Sequence, residues 1–286
     1  MFTEFNNEID VLNYSKNLFT AETNIVIWNK IHDPERVIVI PTKNVKEFKK
    51  TPYFKQLKSE TIIMVESKLP YFRYSYSINV GIDLALDLGV EWIYISNDDI
   101  ELYDTIDSIQ NSIRTYAEHS AFTITNLGTK SYHGEVFSIY NFNWFNDILL
   151  DGLVSVVDKN WPDSFYYFKL LSKYKKFIQY AVHSDHFPSK VSTNKSPKLI
   201  NFGDFGIFRA NLLDKYKLDT DFINGDEDYY FSAFLFKMGY PIIKLPNKAN
   251  TLGGLSLGSN YNRLFNSIVN KAIFSYKYNN LIKNSL

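Results

Sequence analysis

Three short apolar runs, each breaking off into polar residues, constrain this chain more than any other feature. They are Arg36-Val-Ile-Val-Ile40 before Pro41, Thr61-Ile-Ile-Met-Val65, and Trp92-Ile-Tyr-Ile95. Each is apolar at successive positions, so neither face of the extended chain is written for water, which is the pattern of a strand buried on both sides. Between the second and third lies Ser77 to Leu88, with Ile78, Ile82, Leu84, Ala85 and Leu88 at helical spacing. Strand, polar stretch, strand, helix, strand is the order of an open α/β sheet with helices on its faces. Ligands of such sheets collect beyond the carboxyl ends of the strands. The runs end there in Pro41-Thr-Lys-Asn44, Glu66-Ser67 and Ser96-Asn-Asp-Asp99.

The rest of the chain continues less regularly. Asn24-Ile-Val-Ile-Trp28 reads as a strand within an N-terminal extension, 1–35, packed on the core. Ala121 to Asn146 reads as aromatic-rich strands, and Trp144 to Lys176 as a helical stretch of poor period. His183 to Asn201 reads as a long polar loop, and loops of that length are often lids or binding loops. A helix is expected over Tyr229 to Met238, stopped by Gly239, with a short strand at Pro241 to Leu245. At 258–286 an amphipathic helix carries Tyr261, Leu264, Phe265, Ile268, Val269, Ala272, Ile273 and Tyr276 on one face. That face can dock on the protein itself or lie on a membrane, a peripheral contact through 261–276.

Several function classes are disfavoured by composition. Lys plus Arg and Asp plus Glu both number 31, so no basic excess is present to gain from counterion release on nucleic acid. With no cysteine there is no thiolate nucleophile, disulfide frame or zinc–thiolate centre. The first residues are polar and acidic, without the pattern of a signal peptide, and no apolar run approaches the roughly 20 residues of a membrane span. A cytoplasmic protein is expected, peripheral to a membrane at most. The aromatic share of 17% serves either core packing or stacking on sugars and bases. The cluster Trp161, Phe165, Tyr166, Tyr167 and Phe168 has the same two readings.

Two acidic segments carry the chemistry. Asn97-Asp98-Asp99 follows a buried strand directly. It is either a solvated turn, which Asn and Asp favour for their own reasons, or a pair of carboxylates for a hard divalent ion. Gly225-Asp-Glu-Asp228 precedes a helix. It is either an N-terminal cap or the source of a carboxylate base. His183-Ser-Asp-His186 lacks a third partner for a metal site.

The order of these segments resembles the inverting family 2 glycosyltransferases of GT-A fold, over about Arg36 to Pro246. Pro41-Thr-Lys-Asn44 is similar to that family's opening loop, and Glu66 stands where the second strand delivers an acidic residue to the nucleoside. Asn79-Val-Gly-Ile82 is similar to the Asn-x-Gly-Ile before the metal site, and Ile95 to Ile100 resembles the DxD segment. Gly203 to Arg209 resembles the glycine–aromatic stretch before the acceptor site. Glu227-Asp228, followed by Gly239-Tyr240, resembles the Glu-Asp motif and the end of its helix. The departures are Asn97 in the first DxD position and no His within 247–258.

The resemblance implies a GT-A-like α/β domain over 36–257 with a mostly parallel central sheet flanked by helices. Its nucleotide-sugar half would be 36–120 and its acceptor half 121–257. It implies a hexosyltransferase-like enzyme that moves a sugar with inversion from a nucleotide diphosphate sugar, first of all a UDP-sugar, to a glycan, lipid-linked or protein acceptor. Pro41, Thr42, Asn44, Glu66, Asn79 and Asp98 would bind the donor. Asp99 with Asp98 would hold Mn2+ or Mg2+, and Asp228 with Glu227 would be catalytic. The alternatives are a degenerate nucleotide-sugar or glycan-binding protein of the same fold, and a nucleotidyltransferase. The latter usually needs a glycine-rich basic loop after the first strand, which Pro41-Thr-Lys-Asn44 is not.

Overall fold

The computed structural model describes residues 5–18, 23–31, 34–67, 73–127, 133–138, 175–184, 198–251 and 261–283. The aromatic cluster at 161–168 and His186 lie outside them, as does most of the expected helix at 144–176.

The three runs form the centre of the molecule. β2 (Arg36–Thr42) pairs in parallel with β3 (Ile62–Ser67) on one side and with β4 (Trp92–Ser96) on the other. β1 (Thr23–Trp28) adds an antiparallel edge to β3. On the far side β10 (Phe205–Arg209) pairs antiparallel with β4 and with β6 (Ala121–Asn126). β11 (Ile243–Thr251) runs parallel to β6, and β5 (Ile100–Leu102) closes the edge antiparallel to it. The order is β1-β3-β2-β4-β10-β6-β11-β5. Only β2–β3, β2–β4 and β6–β11 are parallel, so the sheet is mixed and not mostly parallel as expected. β10, inserted antiparallel beside β4, divides the parallel half from the rest. A separate antiparallel sheet, β8-β7-β9, is built from β7 (His133–Ser138), β8 (Tyr180–Ser184) and β9 (Lys198–Ile200). The expected loop over 183–201 therefore begins and ends in strands, and 185–197 lies outside the described residues.

Alternation along β2 explains why both of its faces are apolar. Ile38 and Ile40 pack toward α2 (Val45–Phe48), α3 (Pro52–Leu57) and α5 (Ile106–Arg114), among Phe48, Phe54, Leu57, Ile109 and Ile113. Val37 and Val39 pack toward α4 (Tyr74–Asp87), α6 (Ala210–Lys215) and α7 (Glu227–Lys237), among Ile78, Ile82, Leu213, Phe231 and Leu235. Each fully buried Val or Ile contributes on the order of 1.5–3 kcal/mol, so the strand's position between two helical layers is strongly determined. Gly81 makes the second layer possible: a Cβ there would stand 2.3 Å from Val39 Cγ1.

A third cluster joins the two ends of the described chain. α1 (Glu8–Asn17) packs against α8 (Tyr261–Lys283), with Phe5 and Val11 meeting Phe265, Ile268, Val269, Ala272 and Ile273. The apolar face of α8 considered for a membrane is thus largely covered by the protein itself. Among the described residues no helix is long and apolar enough to cross a membrane. The molecule is a mixed α/β structure whose sheet is flanked by helices.

Candidate functional site

The acidic residues ending β4 stand beside the loop that enters β10, because these two strands pair with Ser96 opposite Phe205. Asn97 follows Ser96 and reaches Asp204 twice: its backbone N–H donates to the Asp204 carbonyl at 3.0 Å, and its Nδ2 donates to Asp204 Oδ1 at 2.7 Å. Thr251 Oγ1 donates to the other carboxylate oxygen at 2.9 Å. Asp204 is therefore a fixed member of the strand-end site, contributed by a segment distant in sequence. It escaped the sequence analysis because only the β4–β10 pairing brings it there, although it lies within the Gly203 to Arg209 stretch.

Asp98 and Asp99 differ in their surroundings. Asp98 accepts a 2.7 Å hydrogen bond from the buried Thr42 hydroxyl, which ties the ends of β2 and β4 together. Loss of hydration raises the Asp98 carboxyl above its ordinary value, opposed by the Thr42 bond and the charge of Lys43. Asp99 is half-buried. Its carboxyl is pushed up to about 6, first by burial and then by the charges of Asp98 and Asp204. A cleft of about 590 Å3 opens here, lined by Thr42, Lys43, Asn44, Phe48, Tyr53, Asp98 and Asp99 among others, a volume within the usual range for small-molecule sites. Tyr53 is buried, its hydroxyl 2.6 Å from Ser96 Oγ.

The second acidic segment enters from another element. Asn224, Gly225 and Asp226 have φ of 49°, 152° and 63°, a run of left-handed backbone that turns the chain abruptly into α7. Asp226 occupies the cap position without making a side-chain cap bond, so the simple capping reading does not hold for it. Asp228 instead receives a 2.6 Å hydrogen bond from Asn201 Nδ2 and a 2.9 Å bond from the Tyr229 N–H. Asn201 is buried and is itself held by the Gly203 N–H and the Ser232 hydroxyl. Glu227 is buried and accepts from the Gly225 N–H. Burial raises both carboxyls, and the neighbouring Asp228 charge adds to the shift of Glu227.

Asp204 connects the two segments. Its charge contributes to the upward shift of Asp99 and to that of Asp228, so the carboxylates from β4, the β10 entry and α7 form one electrostatic neighbourhood. Tyr74, at the start of α4, belongs to it. Its N–H donates to Asn224 Oδ1 at 2.8 Å. Its ring is partly exposed, but the hydroxyl is out of reach of solvent and has no hydrogen-bond partner among the described residues. Burial holds that hydroxyl protonated, reinforced by Glu227, Asp228, Asp204 and Asp99 in that order. Tyr74 was not singled out in the sequence, where it is one of 21 tyrosines.

Other expected donor-binding residues have structural occupations. Asn44 lines the cleft, but its Oδ1 caps α2 by accepting from the Lys46 and Glu47 N–H groups. Glu66 accepts from the Val45 N–H at 2.9 Å and so also fixes the start of α2. Pro41 sits in β2, in register with Val65. Asn79 lies apart from the cleft lining. Its amide exchanges two hydrogen bonds with the Leu218 backbone, tying α4 to the segment after α6. Among the described residues no three His, Cys, Asp or Glu side chains are placed to hold a metal ion by themselves.

No protein-family model matches the chain, and no curated protein matches it. Among solved structures, A197 from STIV is similar over 76% of this chain and 81% of its own length, at 10% identity and a TM-score of 0.35. A likeness of that size carries no argument about function.

Proposed function

We propose that the chain is a glycosyltransferase of GT-A-like fold, related to the inverting family 2 enzymes, that moves a sugar from a nucleotide diphosphate sugar to an acceptor hydroxyl. The observation that carries this reading is the electrostatic bridge made by Asp204 between a strand-end carboxylate, Asp99, and a partly buried carboxylate with a raised pKa, Asp228. Such a pairing offers a cation-binding end and a proton-accepting end in one neighbourhood, which is what sugar transfer from a diphosphate requires.

Asp99 and Asp204 are suited to hold a hard divalent ion, Mg2+ or Mn2+, with Asp98 behind them. Fewer than three protein ligands fits an ion that keeps waters and takes its other oxygens from a diphosphate. When bound, the ion neutralises charge on the leaving diphosphate. The protein's own groups act on the acceptor. Asn201 holds Asp228 through Oδ2, and the raised pKa matches it to proton abstraction near neutral pH. As the acceptor oxygen bonds to the anomeric carbon, the bond from that carbon to the diphosphate oxygen breaks. The acceptor proton passes to Asp228. The cleft beside Thr42, Lys43 and Tyr53 is the place for the nucleoside, with UDP the first candidate.

Calorimetric titration with UDP and other nucleotide diphosphates, with and without Mg2+ or Mn2+, tests the reading. Metal-dependent binding of one nucleotide, lost in Asp99→Ala, is the expected result. Absence of binding by every nucleotide in a folded protein would overturn it.

A further inference from the structure

The large sheet ends on one side in a strand whose outer edge pairs with no other strand among the described residues. That strand is β1, beside β3. It carries no charge from Thr23 to Trp28, so it lacks the lysine or proline that commonly blunts such an edge. Ile25, Ile27 and Trp28 on it, and Ile31 just beyond, are 39, 37, 36 and 45% exposed. Four of the eleven exposed large apolar side chains among the described residues thus fall within 25–31, which makes a patch and not a scatter of single residues.

The segment beside this strand is basic. Over 46–58, Lys46, Lys49, Lys50, Lys55 and Lys58 stand against Glu47 alone, in a chain whose charges balance overall. Direct contacts tie that segment to β1. Lys49 Nζ lies 5.0 Å over the Trp28 ring, Trp28 Nε1 donates to the Lys58 carbonyl at 3.0 Å, and Trp28 meets Phe54 of α3 edge-on. The nearby carboxylates are already engaged, Glu47 by Lys50 and Glu60 by Arg36. Lys30, Lys55 and Lys58 are exposed and make no ion pair among the described residues.

Exposed isoleucines bordered by unneutralised lysines fit an anionic bilayer surface. The isoleucines and Trp28 suit the boundary between headgroups and acyl chains, and the lysines suit lipid phosphates. A second copy of the chain fits poorly, since pairing edge to edge would set two groups of lysines against each other. Nucleic acid would use the lysines but leave the isoleucines without a role, and Lys49 already covers a face of the Trp28 ring on which a base could stack. We propose that the β1 edge, with the lysines of the α2–α3 segment, docks the protein on membranes rich in anionic lipid. This surface is separate from α8, whose apolar face packs within the protein. The proposal goes beyond the transferase reading and does not depend on it.

Vesicle flotation tests it, with phosphatidylcholine alone and with phosphatidylcholine mixed with phosphatidylglycerol. The native protein should float with the mixed vesicles and not with the neutral ones, and less of it should bind as salt is raised. Lys55→Gln combined with Lys58→Gln should weaken binding about 25-fold, each lysine near an anionic surface contributing about fivefold. Ile27→Ser combined with Ile31→Ser should weaken it at least about tenfold, through lost apolar burial. Both variants should melt as the native protein does, because all four side chains are exposed. Should the isoleucine variant melt lower, Ile31→Ser alone, outside the strand, takes its place. No binding to the mixed vesicles, or equal binding by the native protein and the lysine variant, would overturn the proposal. Binding that needs the lysines but not the isoleucines would be electrostatic adsorption and would overturn it as a docking surface. A native dimer in sedimentation velocity that the isoleucine variant dissociates would assign the edge to a second copy. An RNA or DNA oligonucleotide held by the same lysines more tightly than the vesicles would assign it to nucleic acid. Either result would overturn the membrane reading.

Discussion

Asn97 donates to Asp204 through both its backbone and its side chain, at 3.0 and 2.7 Å. A residue that departs from an Asp-x-Asp pattern is thus the donor that positions a carboxylate from elsewhere in the chain. Asn97→Asp should not improve the site. It replaces a donor with a charge against Asp204 and should lower stability by about 2–3 kcal/mol without added cation. Thermal melting with and without Mg2+ checks this. Destabilisation that Mg2+ partly reverses is expected, and an unchanged melting temperature would show that the bond does not hold Asp204.

Stability should depend on pH through Asp99. A carboxyl whose folded pKa stands above its unfolded value favours the folded state at low pH, and that contribution is lost as pH rises through the folded value, here about 6. The cation-free protein should therefore gain stability from this group on acidification from pH 7 toward pH 5. Asp99→Asn should remove that gain and stabilise the protein at pH 7.5 by about 1–2 kcal/mol, allowing for screening at a half-buried site. Denaturant titrations of both proteins at the two pH values measure the difference.

Asp228→Asn should leave nucleotide affinity within about twofold and lower the transfer rate by at least about 100-fold, the usual range for loss of a general base. Because burial raises the Asp228 carboxyl, the native rate should fall as pH drops below the folded pKa and Asp228 becomes protonated. Nucleotide binding that is retained with an unchanged rate would favour a different base, and a native protein that binds nucleotide but never transfers would favour a binding protein.

The loop that delivers Glu227 and Asp228 is held from α8. Asn270, fully buried, accepts from the Ile223 N–H at 2.8 Å and donates to the Ile223 carbonyl at 2.9 Å. Asn270→Ala leaves both backbone groups unpaired and should cost about 2–4 kcal/mol. Gly225 is confined as well: a Cβ there would stand 3.1 Å from Asn270 Nδ2, at a φ of 152°. Gly225→Ala should lower the transfer rate more than it lowers nucleotide affinity, as steady-state kinetics and calorimetry would separate.

Parts of this arrangement were legible in the sequence for physical reasons. The central strands announce themselves because burial on both faces leaves no polar position from Val37 to Ile40, and α4 because its apolar spacing is helical. Asp99 and Asp228 stand out because acidic residues beside a buried strand or helix start are visible locally. Asp204, Asn201 and Tyr74 were not, since each joins the site only through tertiary pairing. Nor could the sequence distinguish an Asn44 or Glu66 that meets a ligand from one that satisfies the N–H groups at the start of α2, because the same atoms do either. The antiparallel entry of β10 beside β4 likewise depends on pairing that no local period records.

Lys277 of α8 forms ion pairs with Asp219 and Asp221 at 2.5 and 2.6 Å, upstream of the loop that Asn270 holds. These anchors lie later in the chain than every carboxylate they position. During synthesis α7 emerges from the ribosome before α8 does, and the 219–228 loop then has none of its clamps from that helix. The proposed base would be set only when α8 docks, so a nascent chain carrying all the acidic residues would remain inactive until that late step.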